Sequence, residues 1–140
     1  MQCTVVRQLS VAIENQPGRL AAMGRLLADH GINIRDLTVV DNVEQGMIRV
    51  VLDDAESGRR RLQEQGLHVV EAEVLVMILK DTPGQLARIS QALADAGINI
   101  DYAYGTEDAA GAEIRMVLKV SNTQEAARVI VGLEQDQGHG

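Results

Sequence analysis

The chain reads as an α+β protein built from two βαββαβ repeats. Three observations predict this: an internal repeat, a switch of hydrophobic period along each copy, and turn residues where the period changes. Shifting the sequence by 66 residues superposes its halves without a gap. Residues 14–34, ENQPGRLAAMGRLLADHGINI, and residues 80–100, KDTPGQLARISQALADAGINI, share 11 of 21 positions. The match continues through Ile48-Arg49 onto Ile114-Arg115 and Gly66-Leu67 onto Gly132-Leu133. One supersecondary unit has been duplicated, and the copies divide as residues 1–70 and 71–140.

The elements follow in order. Leu9, Val11 and Ile13 alternate with Gln8, Ser10 and Ala12, the period of a half-buried strand. Pro17 is placed at the first position of a helix, where its missing N–H costs nothing, and Leu20, Met23, Leu27 and Ala28 form an apolar stripe. Thr82 is the expected N-cap in the second copy. Gly31 and Gly97 stop these helices, because glycine enters the left-handed conformation cheaply. Ile32 to Val40 then changes phase near Arg35-Asp36, which predicts a β-bulge, with Leu37 and Val39 continuing the apolar face. The same slip in copy two leaves Ala103 on that face and turns Tyr102 and Tyr104 to the face opposite the helices.

Acidic loops at Asp41 to Gln45 and Glu107 to Ala110 lead to third strands, Met47 to Leu52 and Glu113 to Val120. Second helices are expected at about 55–65 and 122–132. His68 to Ala72 then runs into Val74 to Leu79 with no linker. After Leu133 only the polar tail 134–140 remains, read as flexible, so copy two lacks a fourth strand of its own. The repeat offset maps residues 2–6 onto 68–72, and the β-prone Cys3 to Val6 is expected to complete the sheet of copy two.

Composition excludes several functions. A net charge of −7, with two tyrosines and no Trp or Phe, supplies neither the positive groove nor the stacking faces of a nucleic-acid binder. The N-terminus lacks a basic, apolar leader, and no apolar run approaches the roughly 20 residues that span a bilayer, so a cytoplasmic location is expected with no membrane partner. Cys3, the single cysteine, fits a reducing compartment. His30, His68 and His139 have no ligand spacing, and the carboxylates show no repeated pairing, so neither a metal site nor a cofactor nor acid–base catalysis is expected. The glycine-containing loops match no nucleotide fingerprint. The chain is read as a non-enzyme.

The strand–helix order, with P-G-x-L at the first turn and G-I-N-I after the helix, resembles the ACT domain family over nearly the whole chain, twice. The resemblance implies ferredoxin-like sandwiches, antiparallel sheets with helices on one face, that pair as an intrachain pseudo-dimer and leave a homodimer open to the chain. It implies a sensor that binds a free L-amino acid at the junction of the repeats and regulates an enzyme in trans. The turn Glu14-Asn15-Gln16-Pro17-Gly18 offers backbone N–H groups at a helix N-terminus to a carboxylate, and the Asn15 amide can both donate and accept. Serine-regulated ACT domains hold their ligand with an asparagine of a similar loop and one of a G-V-N-I segment. By that resemblance Asn15 and Asn99 form one site, and Asp81 with Asn33 the other, joined by Gln16, Pro17, Gly18, Gly84 and Tyr102. Asp81 replaces the amide with a carboxylate, so the two sites are expected to differ. Ile13 and Leu79 stand where the serine-binding pattern has histidine, which argues against serine.

Plainer readings stand beside these. Asn15 and Asn33 can satisfy turn backbone through Asx bonds, the glycines can be structural, and Tyr102 and Tyr104 can simply cover the sheet. Arg59-Arg60-Arg61 reads as a solvated helix face. An acylphosphatase-like reading of Arg19 and Asn33 meets two P-G turns that it does not need. The stronger rival is a ligand-free structural or partner-binding module.

Overall fold

The computed structural model describes residues 2–14, 16–41, 45–107 and 110–137. Two compact units emerge, Arg7–Ala72 and Met1–Val6 with Glu73–Gly140, here termed the first and second units. The chain contains strand β1 (Gln2–Ile13), helix α1 (Arg19–Asp29), β2 (Ile34–Val40), β3 (Gly46–Leu52), α2 (Ala55–Glu64) and β4 (His68–Lys80). It continues through α3 (Gln85–Asp95), β5 (Ile100–Glu107), β6 (Glu113–Val120) and α4 (Thr123–Gln137).

In the first unit the strand order is β2-β3-β1-β4, with β1 contributing residues from Arg7 onward and β4 its residues up to Ala72. The β1–β3 register sets Leu9 opposite Val50 and Val11 opposite Ile48, so these four side chains share a face. Met23 and Leu27 of α1 and Leu62 of α2 pack onto that face and close a core with no residue more than 6% exposed. Helices cover this face because their apolar stripes recur at helical spacing.

The second unit repeats the plan with strand order β1-β4-β6-β5, where β1 contributes residues up to Val6 and β4 those from Glu73. Its core gathers Leu75, Met77, Ile89, Leu93, Leu118 and Ile130, and Cys3 packs against it. Helix α4 runs to Gln137, past the expected 132 and through part of the segment read as tail.

Both helix starts differ from expectation for one physical reason. α1 begins at Arg19, and its N-cap is Gly18 at φ 88, ψ −9; α3 begins at Gln85 behind Gly84 at φ 92, ψ −7. Pro17 is therefore not a first helical residue. It occupies the second position of a type II turn, with Gly18 third and the Arg19 N–H bonded to the Gln16 carbonyl at 3.3 Å. Thr82 likewise opens the equivalent turn, and its hydroxyl accepts from Gln85 Nε2 at 3.2 Å in place of capping the helix backbone. Gly31 and Gly97 do end their helices in the left-handed region, at φ 69 and 74.

The register slips between Ile34 and Asp36, and again between Ile100 and Tyr102, where the change of phase predicts a bulge. Beyond it Leu37 and Val39 stand opposite the core residues Val50 and Ile48, yet they are 43% and 52% exposed. Ala103, opposite Leu118, is exposed too. These positions have the expected facing but lie on the outermost strand of their unit, beyond the cover of the helices.

Candidate functional site

The turn between β1 and α1 of the first unit is the feature from which a site can be built. Gln16 donates its N–H to the Glu14 carbonyl at 2.9 Å, Arg19 to Gln16 at 3.3 Å, and Ala22 to Gly18 at 2.9 Å. The same ladder recurs 66 residues later, Thr82 to Lys80 at 3.0 Å, Gln85 to Thr82 at 3.5 Å and Arg88 to Gly84 at 2.9 Å. Each turn therefore delivers the chain in the same way to a helix N-terminus, whose first N–H groups have no acceptor within the helix. The space a side chain would occupy on Gly18 or Gly84 is open, so backbone conformation alone demands glycine there.

Gln16, Pro17 and Gly18 lie together and exposed at the first turn, and Asp81 and Gly84 at the second, where the Asp81 N–H bonds the Ala112 carbonyl at 3.1 Å. Asn15 lies outside the described residues, as do His139 and part of each acidic loop. Asn33 is found past the other end of α1, an 11-residue helix about 16 Å long, so it does not meet the turn of its own unit. The same length of α3 separates Asn99 from Asp81.

The two asparagines differ in state. The Asn33 N–H donates to Asp53 Oδ1 at 3.0 Å, and the Asp53 N–H returns to the Asn33 carbonyl at 3.1 Å, tying this backbone to the end of β3. Asn99 makes the equivalent backbone exchange with Ser121, and its side chain also donates to Asp101 Oδ1 at 2.9 Å. Hydrogen bonds from Asn99 and from Lys119 hold the Asp101 carboxyl below its ordinary value. Tyr102, half-buried on β5, stands opposite Lys119, and Tyr104 stands opposite the buried Val117 on the face away from the helices.

Two depressions border the first turn, and neither was legible in the sequence. The smaller, about 200 Å³, lies toward β2 and is lined by Gln16, Leu20, Val39 and Val40. The larger, about 660 Å³, lies between α1 and the α2–β4 connection; Glu14, Arg19, Ala22, Arg25, Asp29 and Leu67 are among its walls. Glu14 and Arg19 line both, and they pair with each other at 3.0 Å.

In the Arg59-Arg60-Arg61 run, Arg59 and Arg61 are salt-bridged on the helix surface and Arg60 is exposed. Arg59 pairs with Glu56 and, at 3.1 Å, with Glu71, while Arg7 reaches the same two carboxylates at 3.6 and 3.5 Å. Among the described residues no group of three His, Cys, Asp or Glu side chains is placed to hold a metal ion, and no helix is long and apolar enough to cross a membrane.

Fold and turns together define a protein of two ferredoxin-like βαββαβ repeats, each presenting a Pro-Gly turn at a helix N-terminus. Residues 4–137 match the family model for the ACT domain pair, and the chain belongs to that family. Comparison with curated proteins finds no match. Among solved structures, protein BT0572 from Bacteroides thetaiotaomicron is 26% identical, with 94% of this chain and 90% of that one covered at a TM-score of 0.87. The ligand-free regulatory subunit of aspartate kinase from Thermus thermophilus is 18% identical, with 94% and 97% covered at a TM-score of 0.70. The corresponding subunit from Thermus flavus is 20% identical, with 94% and 96% covered at 0.67. These last two share the fold.

Proposed function

We propose that this protein is a non-catalytic regulatory module that binds a free L-amino acid and acts on a separate protein in trans. The observation that carries the reading is the turn, built twice by one ladder of hydrogen bonds and opening onto a helix N-terminus, where the N–H groups and the positive end of the helix dipole attract a carboxylate. In the first repeat the proposed ligand contacts are Asn15, Gln16, Pro17 and Gly18 at the turn and, for the other ligand, Asn33 past the far end of α1. In the second they are Asp81, Gly84, Asn99 and Tyr102. Asp81 offers a carboxylate to an ammonium group and opposes a ligand carboxylate, so the two turns differ in affinity. The regulatory half of the reading is supported by the family and by the fold shared with regulatory subunits of aspartate kinase.

Thermal denaturation of the whole chain with each of the twenty amino acids at millimolar concentration tests this. A ligand of the folded state at one hundred times its Kd adds about 2.7 kcal/mol and raises the melting temperature. Asn15→Ala is expected to remove that rise while leaving the circular dichroism unchanged. If none of the twenty shifts the transition, the reading fails in favour of a ligand-free partner module, for which the exposed Leu37, Val39, Val40 and Met47 argue.

A further inference from the structure

We propose that the cavity between α1 and the α2–β4 connection of the first unit is a second, separate binding site, for an aliphatic zwitterion of the amino-acid class, with Arg25 on its carboxylate and Asp29 on its ammonium group. Its volume, about 660 Å³, falls within the roughly 300–1,000 Å³ of sites that enclose small ligands. Buried Met23 and half-buried Ile13, Leu26 and Leu67 give it an apolar wall that suits a hydrocarbon side chain.

The charges along the cavity fall into two groups. Arg19 and Glu14 satisfy each other at 3.0 Å. Arg25 and Asp29 also line the cavity as exposed residues of α1, and neither side chain has a hydrogen bond or ion pair among the described residues. They stand four residues apart on α1, which places their Cβ atoms about 5–6 Å from each other. Heads of opposite sign at that spacing can close on the two charged groups of one α-carbon. A simple anion would satisfy Arg25 and leave Asp29 facing it.

The second repeat supplies an internal comparison. Ala22, whose small side chain leaves the cavity open, corresponds to Arg88. The Arg88 guanidinium donates to the Leu133 carbonyl at 3.0 Å and to Gln85 Oε1 at 3.4 Å, so it spans from α3 to the counterpart of Leu67. Arg25 corresponds to Gln91, whose amide donates to Asp95, the counterpart of Asp29, at 2.8 Å. The copy whose gap is bridged by an arginine is also the copy whose rim pair is already satisfied. In the first copy the gap is open and the rim charges are unmatched. The proposal does not rest on the Pro-Gly turn or on Asn15.

Isothermal titration of the full chain tests it with L-leucine, 4-methylpentanoate, which lacks the ammonium group, and 3-methylbutylamine, which lacks the carboxylate. Leucine is expected to bind, and each truncated compound to bind about tenfold or more weakly, the loss of one charge-assisted interaction. Ala22→Arg, which imports the arginine of the second repeat at an exposed helical position, is expected to abolish leucine binding with the circular dichroism unchanged. Arg25→Gln is expected to weaken it about tenfold. Leucine binding that is unchanged in both variants overturns the proposal. Retention in both with loss in Asn15→Ala overturns it while assigning leucine to the turn. Failure of leucine to bind the unmodified chain also overturns it, and the twenty-amino-acid screen then decides the turn reading separately.

Discussion

At the scale of single residues, glycine identity has two distinct causes here, and substitution separates them. Gly18 and Gly84 have positive φ and open surroundings, so an alanine there meets no neighbour and costs only the strain of the left-handed backbone. Gly18→Ala and Gly84→Ala are each expected to lower stability by about 1 kcal/mol in urea titration, with an unchanged m-value. Gly105 is a different case. A Cβ there would lie 2.8 Å from the Arg115 carbonyl oxygen and 3.4 Å from the Met116 Cα, both backbone atoms of the paired strand β6. Gly105→Ala must therefore spread β5 from β6, and is expected to cost about 2 kcal/mol, more than either turn variant. The ordering of the three urea midpoints checks both explanations at once. The Pro-Gly turn was legible because its dipeptide names its own geometry. The role of Gly105 was not, because it depends on how closely a strand ten residues away in sequence approaches.

At the scale of elements, helix α2 shows how charge organises a surface segment. Asp54 is its N-cap, accepting from the Ser57 N–H at 3.1 Å, and Arg59, Glu56, Glu71 and Arg7 bind its exposed face to the strands. The bond from Ser57 holds the Asp54 carboxyl below its ordinary value of 3.8, with its hydroxyl and the charges of Arg60 and Arg7 acting in the same direction. Glu56 is lowered chiefly by its hydrogen bond from Arg59. A carboxyl depressed in the folded state stabilises the fold above its unfolded value, and that contribution disappears as pH falls through the folded value. Melting temperatures recorded from about pH 6 to pH 2 should therefore drop through the acid range. Asp54→Asn, which keeps a capping oxygen without a titrating group, is expected to drop less steeply. An identical slope in variant and parent would show that this cap does not contribute to acid sensitivity.

At the scale of the whole molecule, the chain does not close one unit before starting the next. Residues up to Val6 belong with the unit that begins again at Glu73, and Cys3 packs on the core that holds Leu118 and Ile130. Removing residues 1–6 is expected to reduce hydrogen-exchange protection in β4 from Glu73 onward and in β6, while amides of β2 and β3 keep theirs. Equal loss in all four strands, or none, would contradict it. Cys3→Asp makes the same test with one side chain, placing a charge against an apolar core.

The sequence by itself determined the duplication, the βαββαβ order, the bulge after each G-I-N-I and the left-handed glycines that end the first helix of each repeat. These are local: each depends on periodicity or on a backbone conformation that one residue type tolerates. It misplaced the helix starts by two residues, because a Pro-Gly pair satisfies both a helix N-terminus and a type II turn, and only the 88° and 92° φ values choose between them. It placed Leu37, Val39 and Ala103 on the helix side of the sheet, where they are found, but not their exposure, because phase reveals which face a residue is on and not whether a helix lies above it. The cavity was invisible for the same reason. That Ala22 leaves a space and Arg88 bridges one depends on Leu67 and Leu133, each 45 residues away along the chain, and only the folded backbone brings those positions together.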